Sequence, residues 1–314
     1  MIKRTVEISQ QPAHVTVQLD QLLVQHNGDT VGRIPCEDLG MLLVDQPGVT
    51  YSHYALARLM EFDAAVVVCG RDHLPAGILL PLADHSQVVW RVQLQVAVPK
   101  PLAKQLWKQI VQAKVRAQAA NLSPGPARTR LLAIARDVRS GDPANAEGQA
   151  ARVYWPAFFD EPAFRRDRDG AAPNNLLNYG YAIVRAALAR AIVAAGLLPA
   201  LGLKHCNRAN AFCLADDLIE PLRPIVDARV REVYRQGGRA LTPEIKARLL
   251  SLLAEPVALR NERGPLLVNL HRFVASLVSC YEGDARELDI PCSSEAKTDS
   301  SGNAEAIEPL RVPE

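Results

Sequence analysis

No CxxC pair joins any of the six cysteines (Cys36, Cys69, Cys206, Cys213, Cys280, Cys292) and no regular spacing relates them. That argues against a disulfide framework and against a zinc site built on paired thiols. Zinc at Cys206 and Cys213, beside His205, is the weaker option because adjacent residues rarely share one tetrahedral ion, and reduced, mostly buried thiols are expected. A phosphate-cradling GxxxxGK loop is missing, as is a Ser/His/Asp nucleophilic set, so an attacking group must come from water or from the substrate itself. The opening residues MIKRTVEISQQPAHV hold no apolar signal core, and the apolar stretch from Ala182 to Leu203 is broken by Arg185, Arg190 and Gly196. These features predict a cytoplasmic protein without a membrane span. There is no internal repeat.

Charge of one sign is also scarce overall, at a formal +2. Its distribution along the chain is uneven. Arg91–Arg239 holds 23 of the 36 Lys and Arg but only 12 of the 34 Asp and Glu. A basic middle suits a polyanionic partner, although single arginines usually decorate solvated helix faces.

Hydrophobic periodicity divides the chain. Up to about Ala83 it alternates as strands do: His14 to Gln25 reads as one strand, TVGRIP follows the turn Asn27-Gly28-Asp29 as its hairpin partner, and Leu42–Val44 and Ala65–Val68 read as buried strands. Between them Ser52 caps a helix whose face is Ala55, Leu56, Leu59 and Met60. From about His85 the period becomes helical, first through Leu102, Leu106, Ile110 and Val111, and later through the alanine-rich run ending near Ala195. The expected fold class is α+β with two domains: a small β-rich domain with one helix (1–84) and a larger all-α domain (85–289) carrying the candidate site. A polar, aperiodic tail (290–314) is expected to be disordered.

Two segments carry chemistry. KHCNRANAFCLADDLIEPLRPIVD, from Lys204 to Asp227, sets His205 before Asp216, Asp217 and Glu220 in surroundings too apolar for a solvated surface. EGQAARVYW places Glu147 at the head of a helix. Carboxylates with one imidazole suit a hard divalent ion such as Mg2+ or Mn2+ and point to chemistry on phosphate esters. A spacing of three puts Asp217 and Glu220 on one helical face, unless Pro221 pushes Glu220 out of helical geometry and redirects its carboxylate. Spacing leaves both arrangements open.

The words EGQAARVYW, NYGYAIVRAALARAIVAAGLLPALGLKH and LADDLIEPLRPIVD, in this order, resemble the Cas1 integrase family of CRISPR adaptation, most of all its type II, Cas9-associated branch. The resemblance implies an endonuclease that inserts short foreign DNA fragments into the CRISPR array by 3′-hydroxyl attack on repeat phosphodiesters. It implies that Glu147, His205 and Glu220 are the metal ligands and that Asp217 supports them from behind. It further implies a homodimer formed through the β-rich domain, double-stranded DNA as substrate and a Cas2 dimer completing a heterohexamer. Cas9 and a further type II adaptation protein are other partners in its scope. Lys204, Arg208 and Arg223 flank the motif and are expected to meet DNA phosphates. Two other classes remain: a metal-dependent structure-selective nuclease or phosphodiesterase outside CRISPR, and a non-catalytic helical DNA-binding module.

Overall fold

The computed structural model describes residues 3–82, 85–159 and 164–293. The N-terminal part runs β1 (Arg4–Ile8), β2 (His14–Gln18), β3 (Gln21–His26), β4 (Asp29–Pro35), β5 (Leu39–Val44), β6 (Thr50–Tyr51), α1 (His53–Glu61), β7 (Ala65–Cys69) and β8 (Pro75–Leu79). These strands form two four-stranded sheets, ordered β1-β5-β7-β8 and β4-β3-β2-β6. The Ser52 hydroxyl accepts from Ala55 N at 3.1 Å and starts α1 as its side chain predicts. At the Asn27-Gly28 turn φ is +51° and +91°, and the hairpin of β3 with β4 forms there.

One strand expectation needs correction. His14 to Gln25 is folded in two, because Leu19 and Asp20 both take positive φ, +50° and +56°, and form a tight turn that pairs β2 with β3. Leucine seldom adopts left-handed backbone, so the alternating pattern hides the turn.

The helical part comprises α2 (Val88–Val96), α3 (Lys100–Ala120), α4 (Pro126–Asp137), α5 (Ala146–Phe158), α6 (Asn174–Ala194), α7 (Cys213–Ile219), α8 (Arg223–Arg235), α9 (Pro243–Leu250) and α10 (Leu266–Glu282). It is not all-α. A hairpin of β9 (Pro256–Leu259) and β10 (Glu262–Pro265) stands between α9 and α10. Asn269 of α10 ties it down, donating to the carbonyls of Val257 and Gly264, each at 3.1 Å. Cys292 pairs with Ala258 of this hairpin, so the chain is held up to there, and 294–314 of the expected tail lie outside the described residues.

Helix α6 is long and apolar enough to cross a bilayer, yet its surface is sunk in protein, as a core helix requires. The pleat of β5 joins the two halves. Met41 and Leu43 point into the large helical core beside Ala65 and Val67, whereas Leu42 and Val44 face a smaller core with Val15, Leu22 and Leu59. A buried ion pair between Lys246 of α9 and Asp45, just after β5, spans the same junction. Arg190 of α6 also donates to the Asp63 carbonyl at 2.5 Å. A boundary near residue 84 thus separates sequence periods but does not divide the core.

Candidate active site

Three acids in a single helical stretch pin three different elements. Asp216 takes the Arg185 guanidinium of α6 at 2.5 Å and the Asn210 amide at 2.6 Å, which fixes the loop ahead of α7. Asp217, fully buried, accepts from the backbone N–H groups of Leu203 at 2.6 Å and Lys204 at 2.9 Å. It also accepts from His205 N at 3.3 Å and His205 Nδ1 at 2.5 Å. Glu220 reaches the other way, towards α3 and α8.

The turn that delivers His205 needs a glycine. A Cβ on Gly202 would overlap the His205 carbonyl oxygen and stand 2.7 Å from Asp217 Oδ2. Gly180 does the same for helix packing, since a Cβ there would lie 2.5 Å from Val226 Cγ1 on α8. Pro221 does not push Glu220 out of helical geometry. Glu220 has φ −52° and ψ −47°, closes α7 and opens a 3₁₀ turn, Glu220–Leu222, that leads into α8. Tight 3₁₀ geometry carries the proline, so Asp217 and Glu220 remain one turn apart while their carboxylates diverge.

Glu147 sits in the first turn of α5. The Asn145 side chain caps that helix by accepting from Gly148 N at 3.0 Å, and the Asp142 carboxylate accepts from the N–H groups of Ala146 at 2.7 Å and Glu147 at 3.2 Å. From α3, Lys114 projects between the two glutamates: its Nζ lies 2.7 Å from Glu147 Oε1 and 2.5 Å from Glu220 Oε2. The other Glu220 oxygen accepts from Arg223 Nε at 2.9 Å. Burial alone would raise the Glu220 carboxyl, but Lys114 and Arg223 outweigh it and hold the group down at about 2.

His205 is half exposed, and its ring meets the edge of Trp107 at 5.6 Å between centroids. Its pKa is raised chiefly by the Asp217 hydrogen bond, with Glu220 and Glu147 adding to the effect. Behind the site a buried network continues from Arg223, whose guanidinium stacks on Tyr181 at 4.5 Å. Tyr181 and Tyr154, the latter at 3.1 Å, donate to opposite oxygens of Asp227. Burial pushes the Asp227 carboxyl up to about 7 despite both phenols.

Glu147 and Glu220 therefore meet across one ammonium, and Asp217 locks His205 beside them. Among the described residues no three His, Cys, Asp or Glu side chains close directly on one another as a metal cluster. The donor set still fits a divalent ion. A buried cation already occupies the space between two carboxylates, and with the Nδ1 proton donated to Asp217 the imidazole has Nε2 left for coordination. Cys213 is buried and donates to backbone carbonyls, and Cys206 is exposed, so the two thiols nearest His205 do not gather as a zinc site.

Of the basic residues expected at DNA, Lys204 and Arg208 are exposed on the His205 loop. Arg223 has a further task. Its Nε donates to Glu220 at 2.9 Å and its guanidinium stacks on Tyr181, so it also positions a carboxylate. Lys114 went unnoticed in the sequence, although it stands in the apolar stripe Trp107, Ile110, Val111, Val115, where a lone lysine marks a buried acidic partner.

The family described as CRISPR associated protein Cas1 matches residues 6–240. A CRISPR-associated endonuclease Cas1 of Neisseria meningitidis is 37% identical over 283 residues, spanning 88% of this chain and 92% of that protein. A second such endonuclease, from Pyrobaculum aerophilum, is 29% identical over 275 residues, spanning 82% of this chain and 92% of its own length. Among solved structures, a casposase bound to integration product superposes with a TM-score of 0.77 at 18% identity over 96% of both chains. A Cas1 protein from Thermotoga maritima does so with a TM-score of 0.71 at 16% identity, over 90% of this chain and 98% of that one. A Cas6-RT-Cas1–Cas2 complex gives 0.74 at 18% identity over 92% of this chain and 36% of that chain.

Proposed function

The chain belongs to the Cas1 family of CRISPR-associated proteins, and we propose that Glu147, His205 and Glu220 are the side chains with which it holds a divalent ion, Mg2+ or Mn2+. It is an endonuclease and integrase of CRISPR adaptation. The observation that supports the ligand set is the Lys114 ammonium held between Glu147 and Glu220, with His205 presented beside them. When bound, the ion supplies Lewis-acid polarisation of the scissile phosphodiester and stabilises charge on the departing 3′-oxygen.

The chain's own residues do the rest. Asp217 keeps the proton on His205 Nδ1 and aims Nε2 away from the helix, the role of an outer partner to a ligating imidazole. Arg223 holds Glu220 by one oxygen, so that carboxylate keeps a single orientation. Lys204 and Arg208, exposed on the same loop as His205, are placed to neutralise DNA phosphates and set the register of the strand without reading bases. The attacking group is the 3′-hydroxyl of an incoming fragment, and one phosphodiester forms as another breaks. Because that exchange is nearly balanced in bond energy, the geometry of two bound DNAs decides its direction.

The β-rich part is proposed to carry the homodimer contacts. Strand β4 lies at a sheet edge with most of its residues exposed, and such an edge calls for cover. Two dimers flanking a Cas2 dimer, acting on double-stranded DNA in the cytoplasm, complete the proposal, with Cas9 and a further type II adaptation protein as further partners.

The test combines the protein with Cas2, Mg2+ or Mn2+, a short duplex with free 3′-hydroxyls and a supercoiled plasmid bearing the cognate array. Labelled fragment should become covalently attached at the leader end. Blocking the 3′-hydroxyls should stop joining but leave nicking of flapped DNA. Joining that persists with blocked ends, or that never arises with a verified partner and array, overturns strand transfer as the natural reaction.

A further inference from the structure

Lys114 and Lys246 are the lysines buried among the described residues, and the position of Lys114 is specific. Its ammonium makes short contacts to one oxygen of each glutamate, and the two glutamates come from helices brought together only by the fold, α5 and the α7–α8 junction. Around it α3 offers Ile110, Val111 and Val115, none of which carries a charge. Arg223 balances Glu220 from the far side through the other carboxylate oxygen. The inner group of two carboxylates and two cations is therefore neutral as it stands.

We propose that Lys114 is the resident cation of this site: it holds Glu147 and Glu220 together in the metal-free protein and competes with the divalent ion for their carboxylates. The inference rests on Glu147, His205 and Glu220 being the ion's ligands. A dication and an ammonium cannot share the same two carboxylates within a few ångströms at low dielectric without strong repulsion, so loading the ion requires the ammonium to leave. Lys has the means to do this, as a point charge on a flexible stem of four methylenes. The metal-free site is thereby kept in a paired, folded arrangement, and the ion's affinity is lowered by the work of displacing its rival.

The experiment measures Mn2+ binding, by the electron paramagnetic resonance of free Mn2+, together with thermal unfolding with and without Mn2+. It compares the full-length wild type with Lys114→Gln, Lys114→Met, Glu147→Gln and His205→Ala, all without DNA. The expected result is that Lys114→Gln and Lys114→Met bind Mn2+ about tenfold or more tighter than wild type, melt lower without metal, and gain more from its addition. Unchanged or weaker Mn2+ binding in both Lys114 variants, with binding still lost in Glu147→Gln and His205→Ala, overturns the role of Lys114 and leaves the metal site standing. Binding that is unaffected in Glu147→Gln and His205→Ala overturns the ligand set itself. Should neither Lys114 variant fold, amine acylation of the wild type read by mass spectrometry decides: Lys114 labelling should rise several-fold on adding Mg2+, and equal labelling with and without the ion overturns the proposal.

Discussion

Asp217 and His205 are joined twice, through the backbone N–H at 3.3 Å and through ring Nδ1 at 2.5 Å, and the same carboxylate accepts from the two preceding N–H groups. A single buried side chain thus builds the loop and chooses the tautomer of the residue that the loop presents. The substitution Asp217→Asn leaves one acceptor oxygen where two are used. The expected outcome is a loss of about ten- to a hundredfold in metal affinity, measured by Mn2+ titration, with DNA cleavage falling in parallel.

Gly202→Ala tests the turn without replacing a charged group. A methyl there meets the His205 carbonyl and Asp217, and backbone atoms cannot give way as a side-chain end can. Overpacking of about 1–3 kcal/mol should appear in urea unfolding. Cleavage should drop more than stability does, because the displaced residue is His205.

Glu147→Ala, His205→Ala and Glu220→Ala should each abolish cleavage of branched DNA, but they should differ in stability. Glu147 is partly exposed, and its loss should cost about 1 kcal/mol or less. Glu220 is buried between Lys114 and Arg223, so its removal takes the carboxylate partner of Arg223 and one of the two held by Lys114, and should cost about 3–5 kcal/mol. Thermal unfolding of the three variants checks the ranking, and Glu220→Gln is the gentler probe of chemistry.

Asp227 should give stability a pH slope. Its carboxyl is raised from 3.8 to about 7 in the folded chain, so between those values the native state holds a proton that the unfolded state has released. Stability from this group is full below the unfolded value and is lost as pH rises to about 7, by up to about 4 kcal/mol. Asp227→Asn should flatten that slope in denaturant melts taken from pH 5 to 8.

A chain starting at residue 85 tests how separate the two halves are. Periodicity predicts a soluble helical monomer. The structure predicts the opposite: removing β5 and β7 uncovers the face packed by Met41, Leu43, Ala65 and Val67 and leaves Lys246 without Asp45. Light scattering should find aggregates; a monodisperse, cooperatively melting fragment would contradict this packing.

The candidate ligands Glu147, His205 and Glu220 stand out in the sequence through the resemblance of the local words EGQAARVYW, GLKH and DLIEP to the Cas1 family, not through their spacing. The Ser52 cap, the Asn27-Gly28 turn and the long helical period after His85 were legible because each is decided by neighbours within a few residues. The turn at Leu19-Asp20 was not, because two non-glycine residues adopt positive φ there under the demand of strand pairing. The hairpin of β9 and β10 was hidden by its brevity and by Arg260 in its turn, which has φ +52°.

By itself, then, the sequence determined the change of period near residue 85, the Ser52 cap, the Asn27-Gly28 turn and the main helices, and it nominated Glu147, His205 and Glu220 as candidate ligands. Only the tertiary structure decided that Asp217 turns to His205 while Glu220, one helical turn later, turns to Lys114, because spacing fixes a helix face but not which neighbour packs against it. It also decided that Arg223 serves Glu220 and that the two sequence halves share one sheet between two cores. Those outcomes depend on burial. A charge taken out of water must find its partner wherever the fold brings one, and Glu220 finds one in Lys114 of a distant helix and another in Arg223 on the next turn.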